Sequence, residues 1–245
     1  RLKLYHRDEP IHLSDVMPML ENLGLRVIGE SPYEIRKANG RVYWILDFSM
    51  LHKSEKSVDL REARDRFQQA FSSIWHGQIE SDGFNRLVLG ASLTGREISI
   101  LRAYARYMRQ VGFPFSQQYI EDTLNHHPEL ASDLVLLFKK RFDPKLRGSE
   151  KGQNTLMAKI TDQLEHVESL DDDRIIRRYM EMITATLRTN YYQLDQNKQP
   201  KPWLALKLKP SDIPEIPQPV PVFEIFVYAP DIEGVHLRGG KVARG

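Results

Sequence analysis

Hydrophobic and polar positions change their rhythm twice along the chain. At the amino end the period is two. RLKLYH sets Leu2 and Leu4 on one side with basic residues between them, which predicts a strand. In HLSDVMPMLENLG the apolar residues Val16, Met19, Leu20 and Leu23 fall at helical spacing. This predicts a short helix capped near Ser14, with Pro18 in its first turn and Gly24 as its stop. LRVIGESPYEIR and RVYWILDFSML read as strands. Asn39-Gly40 between them predicts a hairpin, because both residues accept positive φ.

From 54 to 193 the period becomes helical. DLREARDRFQQAFSSIW carries Leu60, Ala63, Phe67, Phe71 and Ile74 in phase, with Asp59 as a cap. GREISILRAYARYMRQVG repeats the pattern with Ile98, Leu101, Tyr104, Ala105, Met108 and Val111, and stops at Gly112. SQQYIEDTL, ELASDLVLLFKKRF and TLMAKITDQLEHV predict further helices, separated in one place by DPKLRGSEKGQN, a loop without apolar period. DDDRIIRRYMEMITATLRTNYY opens with acids suited to a helix N-terminus, and its stripe runs from Ile175 to Leu187. After 194 the alternation returns. WLALKLK and VFEIFVYA predict strands, joined by the extended, proline-rich PSDIPEIPQPVP. PDIEG then turns into HLRGGKVARG, a basic glycine-rich loop hanging from a strand scaffold. The fold class is α+β: a βαββ unit over 1–53, an all-helical module over 54–193, and strands opening a further domain over 194–245.

Composition narrows the chemistry. The 245 residues have 41% hydrophobic content and a formal charge of +2, ordinary for a globular chain. The charge balance argues against a nucleic-acid partner. The basic run Arg102, Arg106, Arg109 is accordingly read as a solvated helix face. With no cysteine there is neither a disulfide framework nor a thiolate zinc site. His126 and His127 are adjacent, so on a helix they point about 100° apart and share a metal poorly. No metal site is expected. No apolar run reaches the roughly 20 residues that span a bilayer. Gly234 and Gly239 have phosphate-loop spacing, but Gly240 stands where that loop needs lysine, and Val242 offers no hydroxyl. The Gly-x-Gly-x-x-Gly dinucleotide fingerprint does not occur. Both ends read as cut, which makes the chain a fragment of something longer.

Two resemblances sharpen the reading. HRDEPIHLSDVMPMLENLGLRVI resembles the opening of an ACT-type regulatory domain through Asp8, Pro10 and Leu23-Gly24. Ile11 stands where such domains commonly carry the glycine that lets an amino-acid effector approach, so this part is expected to assemble rather than sense. VFEIFVYAPDIEGVHLRGGKVARG resembles the opening of the catalytic domain of the large NAD-specific glutamate dehydrogenases. LRTNYYQ, KPWLALKLKPSDIPEIPQPVP and SLTGREISILRAYARYMRQVGFPFSQQYI resemble the same family. The resemblance implies an ACT-like domain (1–53), a helical connecting module (54–193) and a truncated start of the catalytic domain (194–245). It implies a parent enzyme that is a cytoplasmic homo-oligomer and deaminates L-glutamate to 2-oxoglutarate and ammonium. NAD would be bound by the missing part of that parent, with no cofactor-binding residue here. Lys241 is then expected to be catalytic or substrate-binding, and Arg244 substrate-binding. The chain alone is expected to be inactive. The rival is a non-enzymatic ACT-type regulatory or interaction module; a helical RNA-binding protein is the third reading.

Overall fold

The computed structural model describes residues 1–53, 60–146 and 150–240. The first unit runs β1 (Leu2–Arg7), α1 (Leu13–Asn22), β2 (Leu25–Arg36) and β3 (Val42–His52). The strands pair antiparallel in the order β1-β3-β2, with Leu2 opposite Phe48 and Arg36 opposite Val42. Gly40 takes φ +79° at the expected hairpin turn. The period-two pattern delivers Leu46 and Phe48 to the face that packs with Val16 and Leu20 of α1. Two details differ from expectation. The α1 N-cap is His12, without a side-chain cap bond, and Pro18 sits inside the helix rather than in its first turn.

The helical part comprises α2 (Leu60–Trp75), α3 (Leu87–Gly90), α4 (Gly95–Gln110), α5 (Gln117–His126), α6 (Pro128–Phe142), α7 (Glu150–Leu164) and α8 (Leu170–Ala185). Asp59, the expected cap of α2, lies outside the described residues. α7 begins at Glu150, so the end of the expected loop is already helical. The central element is α4. Thr94 and Glu97 form a reciprocal capping box at its start, and Gly112 (φ +78°) turns the chain away beyond its end. Its Tyr104 meets Phe138 and Tyr179 edge-on at 6.3 and 6.5 Å. Truncating any of these fully buried aromatics to alanine is expected to cost about 3–5 kcal/mol.

Four antiparallel strands complete the chain: β4 (Thr186–Thr189), β5 (Leu204–Leu208), β6 (Phe223–Ala229) and β7 (Ile232–Arg238), in that spatial order. Two expectations are corrected here. The last helix ends at Ala185, and LRT within the expected helix is strand; Leu187 is exposed. Thr186 turns its hydroxyl back to the Met182 carbonyl, and Arg141 donates to the Thr184 carbonyl, so the helix end is satisfied from within and from outside. Second, PDIEG does not lead into a loop. Pro230 and Asp231 make a tight turn, and Ile232–Arg238 returns as the edge strand β7, opposite β6 from Ala229↔Ile232 to Phe223↔Arg238. Gly234 carries only hydrogen where the alternation needs a side chain, so PDIEG reads as a turn rather than as the start of a strand.

Candidate functional site

The densest polar chemistry lies in a buried node between the helices and the last sheet. Arg102 is 0% exposed, which corrects its reading as part of a solvated face. Its Nε and Nη2 donate to the two carboxylate oxygens of Asp82 at 2.7 Å each, and Nη2 also reaches Asn85 Oδ1 at 2.8 Å. This is a bidentate guanidinium–carboxylate pair, the geometry arginine is built for. Burial works against the Arg102 charge, and Asp82 more than restores it, so the guanidinium is held more firmly protonated than usual. Arg106 donates to Glu80 at 2.9 Å, and the Tyr228 hydroxyl of β6 donates to the same carboxylate at 2.9 Å. Glu121 lies against this group. Burial raises its pKa, Gln117 offsets part of that by donation, and Asp82 adds to the rise. Gly83 leaves the space that the Glu121 carboxylate fills; a Cβ there would overlap it.

Periodicity contained the signal for this node. Arg102 lies four residues after Ile98 and three before Ala105, in phase with the apolar stripe of α4. Arg109 of the same run and two basic residues of α6 are engaged as well. Arg109 pairs with Glu233 of β7 (3.2 Å), Lys139 with Glu97 (2.5 Å), and Arg141 closes α8. None of this resembles a stripe free to follow a phosphate backbone. Among the described residues no cluster of His, Asp or Glu has metal-binding geometry, and none of the helices is long and apolar enough to cross a membrane.

The second feature is the end of the last sheet. One face packs on the helices through Leu206, Leu208, Phe226 and Glu224. Glu224 is buried and accepts a 2.5 Å hydrogen bond from the Tyr107 hydroxyl of α4. Burial raises the Tyr107 pKa strongly, and the neighbouring carboxylate raises it further, so the phenol stays protonated and donates. The opposite face carries Arg188, Lys207, Ile225 and His236 across one row, with Phe223 and Arg238 in the next. It has cations and apolar groups and no carboxylate in these rows. Lys207 Nζ lies 4.2 Å from the Phe223 ring centre. Gly239 and Gly240 follow directly on Arg238, the last residue of β7. Lys241 and Arg244, the expected site residues, lie outside the described residues.

Comparison with known proteins covers most of the chain. Residues 1–63 match the glutamate dehydrogenase ACT3 domain, 79–144 glutamate dehydrogenase helical motif 3, and 159–245 the catalytic domain of bacterial NAD-glutamate dehydrogenase. An NAD-specific glutamate dehydrogenase of Halomonas elongata is 54% identical over 244 residues, 100% of this chain. The protein of that name from Pseudomonas aeruginosa is 52% identical over 99% of the chain, and that from Mycobacterium tuberculosis 42% over 95%. The chain spans 15% of the length of each of these relatives.

Proposed function

We propose, from the premise that this chain belongs to the NAD-specific glutamate dehydrogenase family, that it joins an assembly sheet to the substrate side of a catalytic domain. The whole protein then oxidises L-glutamate with NAD and hydrolyses the resulting imine to 2-oxoglutarate and ammonium. The observation that carries the reading is the sheet formed by β4 to β7. It is anchored from behind by Tyr107–Glu224 and Tyr228–Glu80, and its edge strand ends at Arg238, immediately before the glycine pair.

A dicarboxylate substrate needs fixed cations. Arginine supplies a planar two-pronged donor, and lysine a compact charge whose pKa burial can shift. Arg244 is assigned to a substrate carboxylate, and Lys241 to substrate binding or proton handling near the amine. NAD, when bound, would supply the hydride acceptor. Its site is assigned to the rest of the longer protein, since this sequence has no Gly-x-Gly-x-x-Gly turn and its last sheet is antiparallel. Ile11 is packed against the core of the first unit, which supports a packing role for that unit rather than amino-acid sensing.

The test is alanine replacement of Lys241 and Arg244 in the longer protein. Loss of a buried charged contact costs about 2–5 kcal/mol, a fall in kcat/KM of about 30-fold or more. Near-normal kcat/KM with lowered thermal stability would instead identify a structural ion pair and remove both residues from the site.

A further inference from the structure

A cleft of about 520 Å³ opens where three parts of the chain meet: the C-terminal half of α2, the first turn of α4, and the loop 199–204 with the end of β6. Its size is that of a small-molecule site. The walls offer ring and CH surface from Trp203, Tyr191 and three prolines, Pro200, Pro202 and Pro230. Trp203 is 44% exposed, and the Lys201 ammonium lies 5.4 Å from its ring centre, so an apolar surface and a cation stand side by side in the wall. The amides of Gln69, Gln78 and Gln199 add neutral donors and acceptors.

The charge of the lining is one-sided. It contains Arg96 and Lys201 and neither Asp nor Glu. Arg96 donates to the Tyr191 and Lys201 carbonyls (2.5 and 3.2 Å) and stacks on the Tyr191 ring at 4.5 Å; Lys201 Nζ donates to the Gln193 side chain at 3.2 Å. Neither cation forms an ion pair with a carboxylate among the described residues. Glu97, the acid nearest in sequence, is already taken by Thr94 and by Lys139. Two cations held in a partly enclosed space without a counter-charge favour an anion, because the reduced dielectric strengthens such contacts relative to bulk water.

We propose that this cleft binds a small aromatic anion: a planar ring carrying a carboxylate or a phosphate. The ring lies against Trp203, Tyr191 and the prolines, the anionic group lies beside Lys201 and Arg96, and the glutamine amides meet polar atoms on the ring edge. Tyr228 also lines the cleft, and its hydroxyl donates to Glu80 at 2.9 Å, so one wall of the cleft leads to the buried node. The proposal stands on the cleft alone and not on the reaction assigned above.

Calorimetric titration of the 245-residue chain tests it, with phenylacetate and adenosine 5′-monophosphate as the two probes. Phenylacetamide and adenosine are their uncharged counterparts. Saturable binding of at least one anion is expected, with its uncharged counterpart at least about tenfold weaker. A response to phenylacetate alone identifies a carboxylate site, and a response to the nucleotide alone a phosphate site. Lys201→Ala and Trp203→Ala should each weaken binding about tenfold while leaving the melting temperature in place. No saturable heat with either anion at millimolar concentration overturns the proposal. Equal binding of charged and uncharged probes, or unchanged affinity in both variants, does the same.

Discussion

Replacing Arg102 by methionine isolates the contribution of the buried node. The side chain is completely buried and makes three hydrogen bonds of 2.7–2.8 Å, two of them to Asp82. Methionine keeps much of the volume, so the main effect is electrostatic. Asp82 loses its counter-charge while Glu80 and Glu121 remain close by. Removing one partner of a buried pair typically costs about 3–5 kcal/mol, most of it from the charge left behind. Urea unfolding of the chain, followed by far-ultraviolet circular dichroism, measures that loss. Asp82→Asn alone leaves the guanidinium unpaired and should cost a similar amount. If the two form one unit, the double variant R102M/D82N should be less destabilised than the sum, by about 1–3 kcal/mol. A loss below about 1 kcal/mol for R102M would mean that water or rearrangement solvates the carboxylate left on Asp82. Simple additivity would show that the two side chains do not depend on each other. Either result refutes the node as a cooperative structure.

Three further outcomes follow from neighbouring groups. Glu121 has a folded-state pKa raised above its ordinary 4.5, so its contribution is present below that pH and lost as pH rises through the folded value; Glu121→Gln should therefore stabilise the chain at pH 7 relative to wild type, with the gain vanishing toward pH 4, as paired urea titrations would reveal. Tyr107→Phe strands the buried Glu224 carboxylate and should cost about 1–3 kcal/mol at neutral pH, whereas adding Glu224→Leu should recover part of that loss; no recovery in thermal melts would argue against the pair. Gly83→Ala should destabilise the chain because its Cβ meets the Glu121 carboxylate, and Glu121→Ala in the same molecule should relieve much of the effect; equal cost in both backgrounds would place the strain elsewhere.

Much of the architecture was legible because alternation and helical phase are local. The βαββ opening, the Asn39-Gly40 hairpin and the stripe of α4 each follow from neighbours within a few residues. Leu187 was misassigned for the opposite reason: TLRT is compatible with either period, and its pairing with β5 lies almost twenty residues away. β7 was missed because its alternation is broken by Gly234 and most of it is exposed on the sheet edge. The node needed both kinds of information. Helical phase turns Arg102 inward, but its partners Asp82 and Asn85 sit 20 and 17 residues earlier at a single 3-10 turn, where no periodic pattern announces them. The family resemblance reached the glycine-rich stretch that physical pattern alone left open, and it is also the source of the roles proposed for Lys241 and Arg244.

The hydrogen bond from Tyr228 to Glu80 joins residues 148 positions apart, and that from Tyr107 to Glu224 spans 117. Every pairing of the first sheet, by contrast, lies within the first 52 residues. During synthesis the first sheet can therefore close while the helices are still emerging. Glu80 and Tyr107 must meanwhile wait for the arrival of β6, because contacts of long sequence separation form only after the intervening chain is available. The Glu80 carboxylate thus stays open to water on that side until residues 223–229 have emerged. A ribosome-bound intermediate stopped before residue 223 should hold an ordered first sheet beside a helical core whose polar seam is still open to water.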